Sequence, residues 1–313
     1  MHVQQTIPQI RDFQRINCAL DTAMAQVILG PAGSGKSHFC RFEMPQIIAE
    51  ARGISIDQVG VVFTQPAIRD SVEYSGVGLP QKTPEGQLVT RFSVPALIEQ
   101  IQQQRDLGAL VVLVIYDELS AAADDIQKVI APSLDDNDRR LGDMPVGDDV
   151  IFIATGNRSK DKAGSRRLLS HLINRVAICE MDRDDPAWIT WARNNGINEL
   201  MVSCAETYPD FFEYEAPTED GPFNTYRQAT NAAKILDGFI ASADNWDGMI
   251  SNTVRDWMAQ MIGDRAAAML QSFSENIVND VPTPEEIFRD PLAANVPDDT
   301  GYQMIAVNRA TAN

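Results

Sequence analysis

Eight residues, Gly30-Pro31-Ala32-Gly33-Ser34-Gly35-Lys36-Ser37, constrain this chain more than any other feature. They match the spacing G-x-x-x-x-G-K-[ST]. They stand between a strand-like run, Ala25-Gln26-Val27-Ile28-Leu29, and a helical pattern through Phe39, Phe42, Ile47 and Ile48 that ends before Gly53. Glycines let such a loop wrap closely around an anion with its N–H groups turned inward. The following helix N-terminus adds a favourable field. The spacing assigns Gly30, Pro31, Ala32, Gly33, Ser34 and Gly35 to a phosphate cradle. It sends Lys36 to the β- and γ-phosphates and Ser37 to Mg²⁺, so ATP and Mg²⁺ are the expected ligands.

The rest of the first half supports an α/β domain with a mostly parallel, five-stranded sheet. Further strand candidates are 58–63, 110–116, 150–154 and 176–180, with helical patterns at 94–104, 121–134 and 166–174 between them. The run Leu110-Val111-Val112-Leu113-Val114-Ile115-Tyr116 has no polar alternation, as suits a strand buried on both faces. Turn residues Gly76, Gly78, Pro80, Pro84 and Gly86 mark a loop or short hairpin within 74–90. After Asp182 the pattern becomes helical, around 197–206, 226–240 and 246–273. This places a P-loop core in 1–182 and a small all-helical lid domain with a C-terminal extension in 183–313. Residues before Thr22 read as a helix or arm.

Two more segments carry chemistry. Asp117-Glu118 closes the run 110–116. A carboxylate at that edge can hold Mg²⁺, and the adjacent Glu118 can deprotonate an attacking water. Asn157, in Ala154-Thr155-Gly156-Asn157-Arg158, follows a strand and could touch both the γ-phosphate and that water. A turn asparagine is the plainer reading. Guanine recognition by N-K-x-D is unsupported, because Lys160 occupies the fourth position. Arg175 precedes a strand, from which it could reach a neighbouring subunit's γ-phosphate. A surface ion pair is the plainer alternative, and Arg139, Arg140, Arg166 and Arg167 compete for the role. Arg227 opens a helical stretch in the second half and could close over the phosphates in cis.

Composition narrows the classes. The chain has 313 residues, with 26 Lys and Arg against 44 Asp and Glu, a net charge of −18. Such a chain repels phosphate backbones, which disfavours non-specific duplex binding as its main task. Cys18, Cys40, Cys179 and Cys204 have no metal or redox spacing and read as reduced, buried thiols of a cytoplasmic protein. No apolar run approaches a membrane span and no leader pattern is visible, so no membrane association is expected. His2, His38 and His171 lack metal spacing, and Asp135-Asp136-Asn137-Asp138 lacks EF-hand spacing. Trp188 and Trp191 read as core of the helical half.

The ordered set of phosphate loop, Asp-Glu, Thr-Gly-Asn and Leu-x-Asn-Arg, followed by helices, resembles AAA+ ATPases. Within them it is similar to the MoxR-like group, in a variant seen in bacteriophage genomes. Ile115-Tyr116-Asp117-Glu118-Leu119-Ser120-Ala121-Ala122 looks like that group's Walker B stretch. Arg139-Arg140-Leu141-Gly142, Asp161-Lys162-Ala163-Gly164 and Trp188-Ile189-Thr190-Trp191-Ala192 carry the resemblance further. The resemblance implies ATP hydrolysis, with Glu118, Asn157 and Arg175 as base, sensor 1 and trans-acting arginine finger. Arg227 becomes sensor 2, although Phe223-Asn224-Thr225-Tyr226 departs from the family's Pro-Thr-Pro before it. It also implies a homo-oligomeric ring, commonly a hexamer, acting on a protein client, often with a von Willebrand factor A-domain partner. Residues 74–90 would face the pore or upper surface. A phage-encoded chain would work in the host cytoplasm.

Two other classes remain open. A small-molecule or nucleotide kinase would be active without assembly. A DNA-associated motor or loader would be stimulated by single-stranded DNA and would need a basic pore loop, whereas 74–90 offers only Lys82. A non-hydrolysing scaffold fits least, because every catalytic position is filled.

Overall fold

The structure is a computed structural model and describes residues 3–158, 166–213, 220–243, 246, 248–280 and 284–290. The chain divides into two compact units, Met1–Asp182 and Arg183–Asn313. Among the described residues the first contains ten strands: β1 (Val3–Gln5), β2 (Gln26–Leu29), β3 (Val59–Thr64), β4 (Gly78–Lys82), β5 (Leu88–Phe92), β6 (Val111–Tyr116), β7 (Arg140–Leu141), β8 (Met144–Pro145), β9 (Val150–Gly156) and β10 (Ala177–Met181). Six of them form a wholly parallel sheet in the order β1-β10-β2-β9-β6-β3.

The unbroken apolar run becomes β6, whose six residues are all buried. Val112, Val114 and Tyr116 pack on one face with Val27, Leu29 and Phe152. Leu113 and Ile115 pack on the other with Ile28, Ile151, Ile153, Phe39, Met44 and Ile48. At ~1.5–3 kcal/mol for each large side chain removed from water, this strand supplies on the order of 10 kcal/mol before entropy is charged.

The sheet has six strands where five are expected. The addition is β1, within the stretch read as an arm. Val3-Gln4-Gln5 has no apolar run to announce it and joins only through main-chain pairing to Cys179, Glu180 and Met181 at the sheet edge. The helix Ile7–Cys18 follows it. The helical pattern at 166–174 contracts to Ser170–Ile173. Leu169 is extended, at φ −65° and ψ 143°, with its N–H on Gln127 Oε1 (3.1 Å), so the helix ladder begins only at its carbonyl, which accepts the Ile173 N–H (3.1 Å). Lys160 and the segment 161–164 lie outside the described residues, as does the chain beyond Asp290.

The helix after the glycine-rich loop changes pitch. It runs as Lys36–His38, a π-helical turn Phe39–Glu43, then Met44–Arg52, and Gly53 closes it at φ 64°. Pro45 has no N–H to give to the preceding turn, and the Met44 N–H reaches back to the Phe39 carbonyl instead.

Among the described residues, the regular elements of the second unit are all helices: Asp185–Asn194, Glu199–Thr207, Tyr226–Ser242, Asn252–Asp280 and Pro284–Arg289. Side chains of Asp184, Asn198 and Thr225 cap the first three by accepting the N–H of Ala187, Leu200 and Gln228. Gly263, at φ 79° and ψ 159°, breaks Asn252–Asp280 into two helices. Trp188, Phe211, Phe212, Leu236, Met258 and Phe273 fill the core, with Trp191 packed against it. Among the described residues no helix is long and apolar enough to cross a membrane.

The antiparallel hairpin β4–β5 stands out from the first unit with Leu79, Leu88 and Phe92 exposed. Its base needs glycine. Gly76 has φ 76° and ψ 168°, and a Cβ there would lie 2.1 Å from the Ser93 carbonyl oxygen. Gly86, at the hairpin tip, has φ 83° but open space around it. Gly76→Ala is expected to cost on the order of 3 kcal/mol, through strain and a backbone clash. Gly86→Ala should cost about 1 kcal/mol. In thermal unfolding this reads as a drop of about 6–12 °C against about 2–4 °C. Equal shifts would contradict the clash.

Candidate functional site

The strand order sets the site. β9 lies between β2 and β6, so the C-terminal ends of the three strands stand side by side, where parallel sheets hold their ligands. β2 runs straight into the glycine-rich loop, and the Gly30 N–H donates to the Gly156 carbonyl (3.1 Å). Gly33 and Gly35 take left-handed backbone, at φ 74° and 93°. The Ser34 hydroxyl ties the loop to the Pro31 carbonyl at 2.9 Å. Among the described residues, the main-chain N–H groups of Ala32, Gly33 and Gly35 have no hydrogen-bond acceptor. Such a row of free donors at a helix start is an anion cradle in its own geometry.

Lys36, only 7% exposed, donates from Nζ to the carbonyls of Gly30 (2.9 Å) and Pro31 (2.7 Å) and to Asn157 Oδ1 (3.3 Å). These oxygens compensate a charge that would be costly to bury alone. The main-chain N–H of Asn157 donates to Ser120 Oγ at 2.9 Å.

Asp117 is buried at the end of β6, its N–H extending the ladder to the Thr64 carbonyl (2.9 Å). Its Oδ1 accepts from the Ser37 hydroxyl and from the Thr155 hydroxyl, both at 2.6 Å. Gln65 Nε2 donates to Oδ2 at 3.4 Å. Glu118 is exposed and held in left-handed backbone, at φ 57° and ψ 36°, with its N–H on Thr155 Oγ1 (3.1 Å).

The arginines separate clearly. Arg175 gives Nε to Asp135 Oδ2 (2.7 Å) and Nη1 to the His171 carbonyl (2.6 Å). Arg139 is buried, donating from Nη2 to the Val150 and Gly147 carbonyls, a structural role. Arg140 pairs with Asp138 at 2.8 Å, while Arg166 and Arg167 are exposed. Arg227 is exposed in the first turn of Tyr226–Ser242, in the second unit. Arg158, next to Asn157, pairs with Glu180 at 3.8 Å. All four cysteines are buried. Burial pushes the Cys18 and Cys179 thiols up to about 12 and raises those of Cys40 and Cys204 as well, so none is a poised nucleophile.

Sequence reasoning quoted Thr155 within its motif but missed its part as a clamp on both acidic residues. It quoted Ser120 and Asp135 only within longer stretches, without these contacts, and missed Gln65 altogether. A small polar residue ending an apolar strand is the one signal Thr155 offers.

No family model and no curated protein matches the chain. Among solved structures it is similar to a RuvB mutant of Thermotoga maritima, at TM-score 0.43 and 12% identity over 88% of this chain and 70% of that one. It is also similar to NtrX of Brucella abortus, at TM-score 0.43 and 16% identity over 100% and 67%. The Orc1 protein of Aeropyrum pernix, solved in complex with DNA, gives TM-score 0.44 and 13% identity over 75% of this chain and 61% of that one. At scores this low the likeness bears on nothing further.

Thr155→Val should strand two partners, the Asp117 carboxylate and the Glu118 N–H, and cost about 1–3 kcal/mol in urea unfolding. Thr155→Ser keeps the hydroxyl and should recover most of the loss. A serine variant as unstable as the valine one would refute the clamp.

Proposed function

We propose that this chain is a Mg²⁺-dependent, ATP-hydrolysing AAA+ ATPase of the MoxR-like kind, working as a homo-oligomeric ring on a protein client. One observation carries the reading: Lys36, Ser37, Asp117 and Asn157 are joined by hydrogen bonds across the ends of β2, β6 and β9, beside a loop with unpaired N–H groups. That combination suits a polyphosphate and a hard cation better than any other ligand.

The donor set fits Mg²⁺. The Ser37 hydroxyl has a single hydrogen and spends it on Asp117, which leaves its lone pairs outward. Ser37 and Asp117 would hold the ion, which when bound offsets charge on the phosphate oxygens.

Residues of the chain do the rest. The loop amides and Lys36 bind phosphate, with Lys36 exchanging loop carbonyls for phosphate oxygens. Glu118 takes the proton of the attacking water. Asn157 orients that water beside the terminal phosphate. Arg175 serves a neighbouring copy's nucleotide, and Arg227 reports the bound state from the second unit. The division into an ATPase core and a helical lid belongs to this reading, as does a partner with a von Willebrand factor A domain. The exposed hairpin β4–β5 is the segment assigned to client contact.

Lys36→Ala is expected to lose tight ATP binding in calorimetry. Glu118→Gln should bind ATP yet turn over about 10²–10⁴ times more slowly, since an amide accepts no proton. Near-normal turnover would move the base elsewhere. Arg175→Ala mixed with Lys36→Ala should regain activity, because one subunit supplies an intact loop and its neighbour an intact arginine. Absence of rescue, with assembly verified by light scattering, favours a cis-acting kinase. Stimulation by single-stranded DNA would favour a DNA-associated motor.

A further inference from the structure

Arg175 is held in an unusual way. Its Nε donates to Asp135 Oδ2 at 2.7 Å, and one Nη1 hydrogen goes to the His171 carbonyl at 2.6 Å. Nη2 has no acceptor among the described residues, and the side chain is 31% exposed. Arg105 provides the contrast. It closes a side-on, two-bond pair with Asp149, Nε to Oδ2 and Nη2 to Oδ1, both at 2.7 Å. Asp135 does not do the same: its Oδ2 alone takes Arg175, while its Oδ1 accepts the Asn137 N–H at 3.0 Å. It therefore grips one edge of the guanidinium and leaves the outer fork open. That fork is the edge with which an arginine takes two phosphate oxygens.

The grip is itself rigid. The Asp135 main chain donates to the Pro132 carbonyl (3.3 Å) and accepts from the Arg139 N–H (3.1 Å). Arg139 in turn is buried against the carbonyls of Gly147 and Val150. The Asn137 N–H and the Arg175 guanidinium hold the Asp135 carboxyl below its usual range, so it stays charged. A partly exposed ion pair of this kind contributes little to stability. Its larger effect is to remove the rotamer freedom of a long side chain before any ligand arrives.

We propose that Asp135 is a positioning residue: with the His171 carbonyl it fixes Arg175 so that the outer Nη1–Nη2 fork faces a phosphate bound by a second copy of this chain. The proposal rests on the reading above that Arg175 acts in trans.

The test compares Arg175→Ala, Asp135→Asn and the double variant in steady-state ATPase assays, with assembled mass followed by light scattering. Asp135→Asn should lower kcat about ten- to hundredfold while the KM for ATP and the assembled mass stay unchanged. The double variant should be no slower than Arg175→Ala alone. Losses that multiply in the double variant would show a separate structural effect and overturn the proposal. So would an Asp135→Asn enzyme at or above wild-type kcat while Arg175→Ala is inactive, an outcome that leaves the trans reading standing. Full activity of Arg175→Ala would overturn both. Should Asp135→Asn fail to fold, Asp135→Glu decides. It keeps the charge but moves the carboxylate by one methylene, so a lowered kcat at unchanged KM and assembled mass supports the brace and wild-type kcat overturns it.

Discussion

One carboxylate oxygen, Asp117 Oδ1, holds the centre of this molecule together. It accepts the Ser37 hydroxyl from the helix after the glycine-rich loop and the Thr155 hydroxyl from β9, both at 2.6 Å. Three segments far apart in sequence are thereby pinned at one point. Asp117 is 5% exposed, so leaving that oxygen unpaired would cost several times what a surface hydrogen bond yields. The parallel sheet makes the meeting possible. Only with β9 inserted between β2 and β6 can a residue from each reach the same atom.

The same order explains why the site is built at a sheet edge of so little chain. β2 spends four residues, all buried, and ends at the loop that turns outward. Lys36 spans the loop mouth to Asn157, so the loop is closed from both sides by strands already locked in the core. A net charge of −18 sets the terms for assembly around it. Like charges on approaching copies would repel within a Debye length, about 10 Å at 0.1 M salt and about 30 Å at 0.01 M, and contact would depend on locally complementary pairs. In the proposed ring, an arginine already fixed on its own subunit would be such a local positive group.

What the sequence revealed follows the range of the forces involved. The glycine-rich loop and the run 110–116 were legible because a local pattern specifies each: backbone freedom at fixed spacing in one, burial on both faces in the other. β1 was not, since Val3-Gln4-Gln5 carries no pattern and is made a strand by its edge partner. The helix expected at 166–174 starts only at Ser170 because Leu169 is extended, at φ −65° and ψ 143°, with its N–H on the Gln127 side chain, a tertiary contact invisible locally. Asp117 and Thr155 are 38 residues apart, and Arg175 and Asp135 are 40 apart. Residue types at such separations gave the chemistry of each group but not its partner.

Glu118 shows where conformation and chemistry disagree. Its left-handed backbone costs a non-glycine residue about 1–2 kcal/mol, and a glycine would meet the same turn without that cost. The strain persists because the surroundings over-determine it. Thr155 has one hydroxyl hydrogen and gives it to Asp117, so the oxygen can only accept from the Glu118 N–H. A single hydroxyl thus sets the buried carboxylate and the backbone of the exposed one together. Fold alone gives no reason for a carboxylate at a position where glycine is easier. Under the ATPase reading proposed above, its exposure gives that reason, so the inference runs from the strained residue to function.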